Sequence, residues 1–377
     1  MSFKIDCQSF SEYMLPILTV ELIGHYSIDG DLKYCDDLSQ LKYYVPPQDF
    51  DNVFFDLNKN FMSTRYKPTS HVKLQDVLTW VSNNFNLLEK PLSQEGQWLN
   101  TDFICRRGAL KTLLSTPYKK RNEDWIICAS KYRGSIYLCE FYTDEKEFRH
   151  VNATAKERQL CSQGFKFEQY MVADHPSHRP NSSVSLNECE KFHCMIKANF
   201  DDHSLLYEAE IDGISSHQPI TDTLVGKTFE LIELKTLSAK LYHEIGTPQY
   251  DKYGTIPFEK AILWWCQNYL AGIKGVICGI KNSCGEVKMI KEFSTDNLLQ
   301  LSKFYDGNVD KCKMFCKIFL DNVKKIVIKD YNECMYKFYY DASNDIINYS
   351  EEASDNEMCF LKSWFVEKAR DYNSTFQ

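Results

Sequence analysis

Tyr207-Glu-Ala-Glu-Ile-Asp-Gly213, echoed downstream by Phe229-Glu-Leu-Ile-Glu-Leu-Lys-Thr236, is the stretch from which the fold is read. Alternate side chains of an extended strand share a face. Glu208, Glu210 and Asp212 therefore fall on one side, and Tyr207, Ala209 and Ile211 on the other. In the echo, Phe229, Leu231, Glu233 and Lys235 share a face that begins apolar, which places Glu233 at the rim of a core.

Carboxylates this close raise one another's pKa unless a cation neutralises them. Hard oxygen donors suit Mg²⁺ or Mn²⁺. A lysine two residues beyond a carboxylate can hold a scissile phosphate or stabilise charge developing on it. An acid followed by Glu-x-Lys on a second strand resembles the pattern of metal-dependent PD-(D/E)xK-type nucleases. The competing reading is a solvated hairpin whose acids pair with cross-strand lysines.

Composition narrows the classes. With 44% hydrophobic residues over 377, the chain can bury a substantial core. It lacks an apolar run of about 18 residues, so no membrane span is expected. The start, Met1-Ser-Phe-Lys-Ile-Asp-Cys7, has no apolar signal core. Fifteen cysteines without a Cys-x-x-Cys read as reduced thiols of cytosol or nucleus rather than a zinc site. A net charge of −8 argues against broad coating of nucleic acid. It leaves room for a local grip at basic clusters such as Arg106-Arg107 or Lys131-Tyr-Arg133, while Lys119-Lys-Arg121 reads as solvated surface.

Strands are expected at Ile17–Ile28, Leu38–Val45, Phe103–Gly108, Phe165–Met171, Lys191–Asn199, Ser204–Asp212, Lys227–Thr236 and Cys334–Tyr340. Hairpins are expected for Trp125–Ala129 with Ser135–Phe141, turned at Arg133-Gly134, and for Gly275–Lys281 with Val287–Phe293. Helices are expected at His71–Leu88, Ala109–Ser115, Thr154–Cys161, Phe258–Leu270, Val309–Val323 and Phe360–Ala369. Glu140 shares the Ile136/Leu138 face, and Gln267 lies in an apolar helix, where it either ties helix to sheet or contacts a phosphate. The whole, 1–377 with a core of about 18–370 and a frayed tail from Asp371, reads as one α+β domain. Its sheets are expected to be mixed but mostly antiparallel, with flanking helices.

Six stretches taken in order carry a wider resemblance. They are Arg107-Gly108 with Leu113-Leu-Ser-Thr-Pro-Tyr118; Gly134-Ser-Ile-Tyr-Leu-Cys-Glu140; Phe167-Glu-Gln-Tyr-Met-Val-Ala-Asp174; Glu210-Ile-Asp212; Glu233-Leu-Lys235; and Trp264-Trp-Cys-Gln-Asn-Tyr-Leu270. From about Leu18 to Phe365 the chain resembles the DXO decapping exoribonuclease family. That resemblance implies metal ligation by Glu140, Glu210, Asp212 and Glu233 with the carbonyl of Leu234, around two Mg²⁺ or Mn²⁺ ions. It implies that Lys235 and Gln267 contact the scissile phosphate, and that Arg106, Arg107, Gly108 and Val172 line the substrate channel. It further implies hydrolysis at RNA 5′ ends, removing pyrophosphate from triphosphates or releasing incomplete and NAD caps, with 5′–3′ degradation after. An Xrn-type exoribonuclease partner and residence in nucleus or cytoplasm belong to the same expectation. Two other readings stand beside it: a non-catalytic relative that binds RNA ends or a partner exonuclease, and a DNA endonuclease of the broader class. The chain departs from the family at Arg106, where an aromatic is usual, and at Lys281, where arginine is usual. Lys33 is the nearest candidate for another family arginine, and Lys67–Val72 lacks an expected acid. These departures bear on which 5′ ends are preferred.

Overall fold

The two acidic strands form, but in different sheets, and the chain passes from one sheet to the other between them. The computed structural model describes residues 1–6, 15–68, 73–90, 98–303 and 308–374. Cys7, the His71–Val72 start of the expected first helix and the last three residues lie outside them.

In chain order the main elements begin with β1 (Leu18–Ile28), α1 (Gln75–Asn83), β2 (Phe103–Arg106) and α2 (Arg107–Ser115). Next come the hairpin β3 (Trp125–Tyr132) and β4 (Ser135–Phe141), then α3 (Asp144–Val151) and α4 (Ala155–Met171). The acidic strands follow within β5 (Lys191–Phe200), β6 (His203–Glu210) and β7 (Glu230–Ser238). After α5 (Phe258–Ala271) come β8 (Gly275–Lys281), β9 (Glu286–Ser294) and α6 (Val309–Ile326). The chain closes with β10 (Met335–Asp341), β11 (Ile346–Glu352) and α7 (Ser363–Ser374).

Among the described residues, ten strands form one sheet, ordered Ser2–Phe3, β11, β10, β3, β4, β2, β6, β5, β1 and Tyr34–Cys35. A second sheet of seven runs Phe55–Asp56, β9, β8, β7, Gly213–Ser215, Tyr43–Tyr44 and Val172–Ala173. Pairing is mixed: β2 runs parallel to both β6 and β4, and β7 runs parallel to β8, while most other pairs are antiparallel. The α+β class with mixed, mostly antiparallel sheets and flanking helices is borne out. The main apolar core lies under α2, α5 and α6; a second packs α1 and α7 on the other face of the large sheet; a third joins α4 to β7, β8 and β9. No helix among the described residues is long and apolar enough to cross a membrane, and the described cysteines form no disulfide.

One departure from expectation moves a site residue. Phe165–Met171 is not a strand but the last two turns of α4. The helix starts with a capping box: Thr154 Oγ1 accepts from the Glu157 N–H, and the Glu157 carboxylate accepts from the Thr154 N–H. Its buried residues Gln163, Phe167 and Met171, with Ser162 and Lys166 beside them, follow a helical stripe. Phe167 and Met171 fill the core against Leu234, Ile277 and Ile290. The Phe-Lys-Phe-Glu alternation that suggested a strand is overridden by Lys166, which is buried and donates to Gln169 Oε1 (2.7 Å) and to the Ser182 carbonyl (2.8 Å).

Smaller corrections have equally local causes. The expected His71–Leu88 helix breaks at Asn84, whose side-chain amide donates to the Trp80 carbonyl (2.8 Å). Leu38–Val45 narrows to Tyr43–Tyr44. The tail is not frayed from Asp371: α7 continues to Ser374, and Tyr372 packs on Phe85, with ring centroids 5.3 Å apart. The short helix α3 and strand β11 were not anticipated.

Gly279 of β8 faces α4 so closely that an added Cβ would lie 2.6 Å from the Phe167 ring. Gly279→Ala is therefore expected to lower unfolding free energy by about 1–3 kcal/mol through overpacking, read as a lower urea midpoint at unchanged slope. An unaltered midpoint would show that α4 does not bear on β8 in this way.

Candidate active site

The site is built where the chain changes sheets. Glu210 ends β6, and the Ile211 N–H donates to the Phe192 carbonyl (3.0 Å) as the chain turns away. Asp212 sits in the crossing, and its Oδ2 accepts from the Leu234 N–H of β7 at 2.6 Å. Gly213–Ser215 then pairs antiparallel with β7. Glu233 and Lys235 alternate out of β7 toward the same point, with Lys235 donating to Glu233 Oε1. From α5, Gln267 Nε2 donates to that same oxygen at 2.6 Å. From α2, Arg107 Nη2 donates to the Glu210 carbonyl at 2.7 Å. The cavity holds about 430 Å³, and its walls include Arg106, Arg107, Gly108, Lys111, Glu140, Glu168, Glu208, Glu210, Asp212, Lys235 and Gln267.

Electrostatics sorts the acids. Burial acts to raise the Glu210 pKa, but Lys191, which donates to its Oε2 at 2.9 Å, and His193 hold it down at about 2. Asp212 is pushed up to about 7 by burial and by the charge of Glu233, against the opposing pull of Lys235. Glu168 on α4 is raised well above the carboxylate range by burial and by Asp212, with Glu210 and Glu233 adding to the repulsion. For Lys235, burial is outweighed by Glu233 and Asp212, so its ammonium is held charged.

Three of these acids share one arrangement. Glu210 Oε2, Asp212 Oδ2 and Glu233 Oε1 are each engaged by a protein donor. Glu233 is fully buried, not at a core rim as the strand pattern suggested, and its Oε2 has no hydrogen-bond partner among the described residues. A fully buried carboxylate oxygen without a donor, beside two carboxyls whose pKa burial and mutual repulsion have raised, fits a divalent cation. The donor set, all oxygen, is the one Mg²⁺ or Mn²⁺ takes.

The other expected residues take varied places. Glu140 lines the cavity but its Oε1 pairs with Lys146 at 3.1 Å, and it lies near Gly108, where an added Cβ would be 3.7 Å from Glu140 Oε2. Leu234 is buried, its side chain in the core beneath α4. Val172 lines an adjoining cavity of about 740 Å³ that shares Glu168, Glu210 and Asp212 with the first. Arg106 pairs with Glu208. Lys281 lies away from these walls, donating to Gln163 Oε1 at 2.7 Å. Glu168 was missed because its segment was read as a strand; the i, i+4 spacing of Gln163, Phe167 and Met171, continuing the helix read at Thr154–Cys161, was the signal that would have reached it. Among the described residues Asp202, His203 and Asp321 also converge, with ligand atoms within 4.8 Å of one another. Lys317 already pairs with Asp202 (2.7 Å) and Asp321 (2.8 Å), so a protein cation already occupies that cluster and offsets part of its charge.

A family model described as RAI1 like PD-(D/E)XK nuclease matches residues 19–366. The chain belongs to this family. Among similar RAI1-like proteins, the Bos taurus decapping and exoribonuclease protein is 30% identical over 353 residues, 92% of this chain and 84% of that one. The Xenopus laevis protein of the same name is 27% identical over 369 residues, covering 95% and 87%. The crystal structure of Candida albicans Rai1 in complex with pU5-Mn²⁺ superposes with a TM-score of 0.79 at 18% identity, covering 98% of this chain and 99% of that one.

If Glu168 is a ligand of the cation, Glu168→Ala will weaken Mn²⁺ binding by about tenfold or more, on the scale of losing an ordered ligand or its support. Glu140→Ala, which removes an acid already paired with Lys146, will change it less than about threefold. Isothermal titration of the two variants with Mn²⁺ decides between them; the reverse ranking would return the ligand role to Glu140.

Proposed function

We propose that this protein is a divalent-metal-dependent hydrolase of RNA 5′ ends that removes pyrophosphate from triphosphorylated RNA and releases incomplete or NAD caps, with 5′–3′ exoribonuclease activity following. The observation that carries the reading is the junction of acids, lysine and amide in one cleft of a RAI1-like chain, where Glu168, Glu210, Asp212 and Glu233 meet Lys235 and Gln267. Relatives are named for decapping and exoribonuclease activity, and fungal Rai1 proteins have been crystallised with pU5-Mn²⁺ and with 3′-FADP.

Glu210, Asp212, Glu233 and Glu168 would hold one or two Mg²⁺ or Mn²⁺ ions, with the Leu234 carbonyl as a further donor. When bound, such ions activate a water and offset charge on the phosphoryl oxygens. Lys235 is fixed against Glu233 with its ammonium at the cavity wall, where it can stabilise negative charge developing on the phosphate. Gln267 is held on the same Glu233 oxygen, so its position is set before substrate arrives. Arg107, anchored on the Glu210 carbonyl, and Gly108, which adds no side chain, leave the α2 side of the cavity open for a backbone phosphate. No serine, cysteine or histidine nucleophile is required; burial pushes the Cys266 thiol beside Gln267 well up, which keeps it protonated.

Incubating 5′-labelled RNAs bearing triphosphate, unmethylated cap, NAD or monophosphate with the protein and Mn²⁺ should yield 5′-end products that chelator abolishes. Glu210→Ala/Asp212→Ala should reduce turnover by about 10³-fold or more, and Lys235→Met by about 10²–10³-fold. RNA binding without turnover of any end would leave an end-binding adaptor, and cleavage confined to DNA would leave the endonuclease.

A further inference from the structure

Beneath the cluster just described lies a second group of charges with its own neutralisation. Glu208 sits two residues before Glu210 on β6 and lines the same cavity, yet it is only 3% exposed. Its Oε1 accepts from Arg106 Nε, at the end of β2. Its Oε2 faces His193 Nδ1 on β5 and accepts from the Tyr26 hydroxyl of β1 at 3.3 Å. The Tyr26 and His193 rings stack with centroids 4.8 Å apart. Four adjacent strands are in register for this, with Glu208 opposite Arg106 and His193 opposite Tyr26. The Arg106 side chain is 28% exposed against 5% for Glu208, so the guanidinium stands at the wall with the carboxylate behind it. Such a pair is neutral overall but presents its positive end to the cavity, and its effect there is short-ranged.

We infer that Glu208 is a positioning residue that fixes Arg106 as a cation on the cavity wall, and that Arg106 so held selects 5′ ends by the charge of their terminal phosphates. The inference rests on the proposed 5′-end reading. Arginine's planar fork suits phosphate oxygens, and a guanidinium already immobilised loses little freedom when it binds them. Glu208 has a second effect on the same cation. Glu210, a candidate metal ligand, lies two residues along β6 from Glu208 and lines the same cavity as Arg106. Without Glu208, Arg106 turns to Glu210 and competes with the bound ion there.

The test uses three RNAs alike except for a 5′-triphosphate, 5′-monophosphate or 5′-hydroxyl. Their affinities are measured by fluorescence anisotropy in Ca²⁺, with intactness checked on gels, and the half-saturating Mn²⁺ is measured separately by titration. The wild-type protein should prefer triphosphate over hydroxyl. Arg106→Gln should cut that preference by about fivefold or more while the hydroxyl RNA binds as before. Glu208→Gln should cut the preference similarly and raise the half-saturating Mn²⁺. The double variant Arg106→Gln/Glu208→Gln, with no unpaired buried charge, should restore the Mn²⁺ requirement but not the preference. An unchanged preference in Arg106→Gln overturns the selection by charge; a Mn²⁺ requirement that stays raised in the double variant overturns the positioning. Discrimination without hydrolysis of any end would sink the proposed activity and leave this inference standing, and hydrolysis with no dependence on Arg106 would do the reverse.

Discussion

The hydrogen bond from the Leu234 N–H to Asp212 Oδ2, 2.6 Å long, ties the crossing residue to β7 at the point where the chain passes from one sheet to the other. The fold brings acids from both sheets to that point: Glu210 at the end of one, Glu233 in the middle of the other, and Glu168 from the helix packed on the second. Bringing so many carboxylates together is costly, because each raises the charge repulsion on the rest. The structure meets part of that cost with donors: Lys191 on Glu210, the Leu234 amide on Asp212, and both Lys235 and Gln267 on Glu233.

Unequal partnering gives these acids unequal character. Glu210, beside Lys191 and His193, is held at about 2, while Asp212, two residues on, is pushed up to about 7 by burial and Glu233. Sequence spacing treats them as a matched pair; their neighbours make one a fixed anion and the other a group that a cation would ionise. Lys235 is drawn to Glu233 and Asp212 from within the same cluster, so lysine and metal are set to share the acids rather than to occupy separate sites.

Much of this was legible in the sequence because it is encoded by short-range pattern. Alternation placed the strands around Glu210 and Glu233, and Arg133-Gly134, both with positive φ, marked the β3–β4 turn. The apolar helix ending at Gly272, in the left-handed region, was equally plain. What was not legible depends on long-range pairing. That β6 joins β2 in parallel while β7 joins β8 in another sheet leaves no local trace. Glu168 was hidden because Phe165-Lys-Phe-Glu mimics period two, and only the buried contacts of Lys166 and Phe167 show which period wins. Glu140 was legible as a carboxylate among apolar neighbours, but its pairing with Lys146 depends on α3, a helix too polar for its pattern to announce.

Glu208, Glu210 and Asp212 look equivalent when read by alternation, and the difference between them lies in how many oxygens the protein has already engaged. Both oxygens of Glu208 face protein partners: Arg106 on one side, His193 and Tyr26 on the other. Burial acts to raise its pKa, and Arg106 and His193 outweigh that, holding the carboxylate well below its usual range. An acid held by cations and donors on both oxygens is a poor ligand for a metal at the cavity. Glu210, Asp212 and Glu233 each have one oxygen engaged, and for Glu233 the other is buried without any donor among the described residues. The capacity of this cleft for cations is therefore set by half-engaged carboxylates rather than by the number of acids. A strand can carry three acids on one face and still devote the innermost to holding an arginine in place.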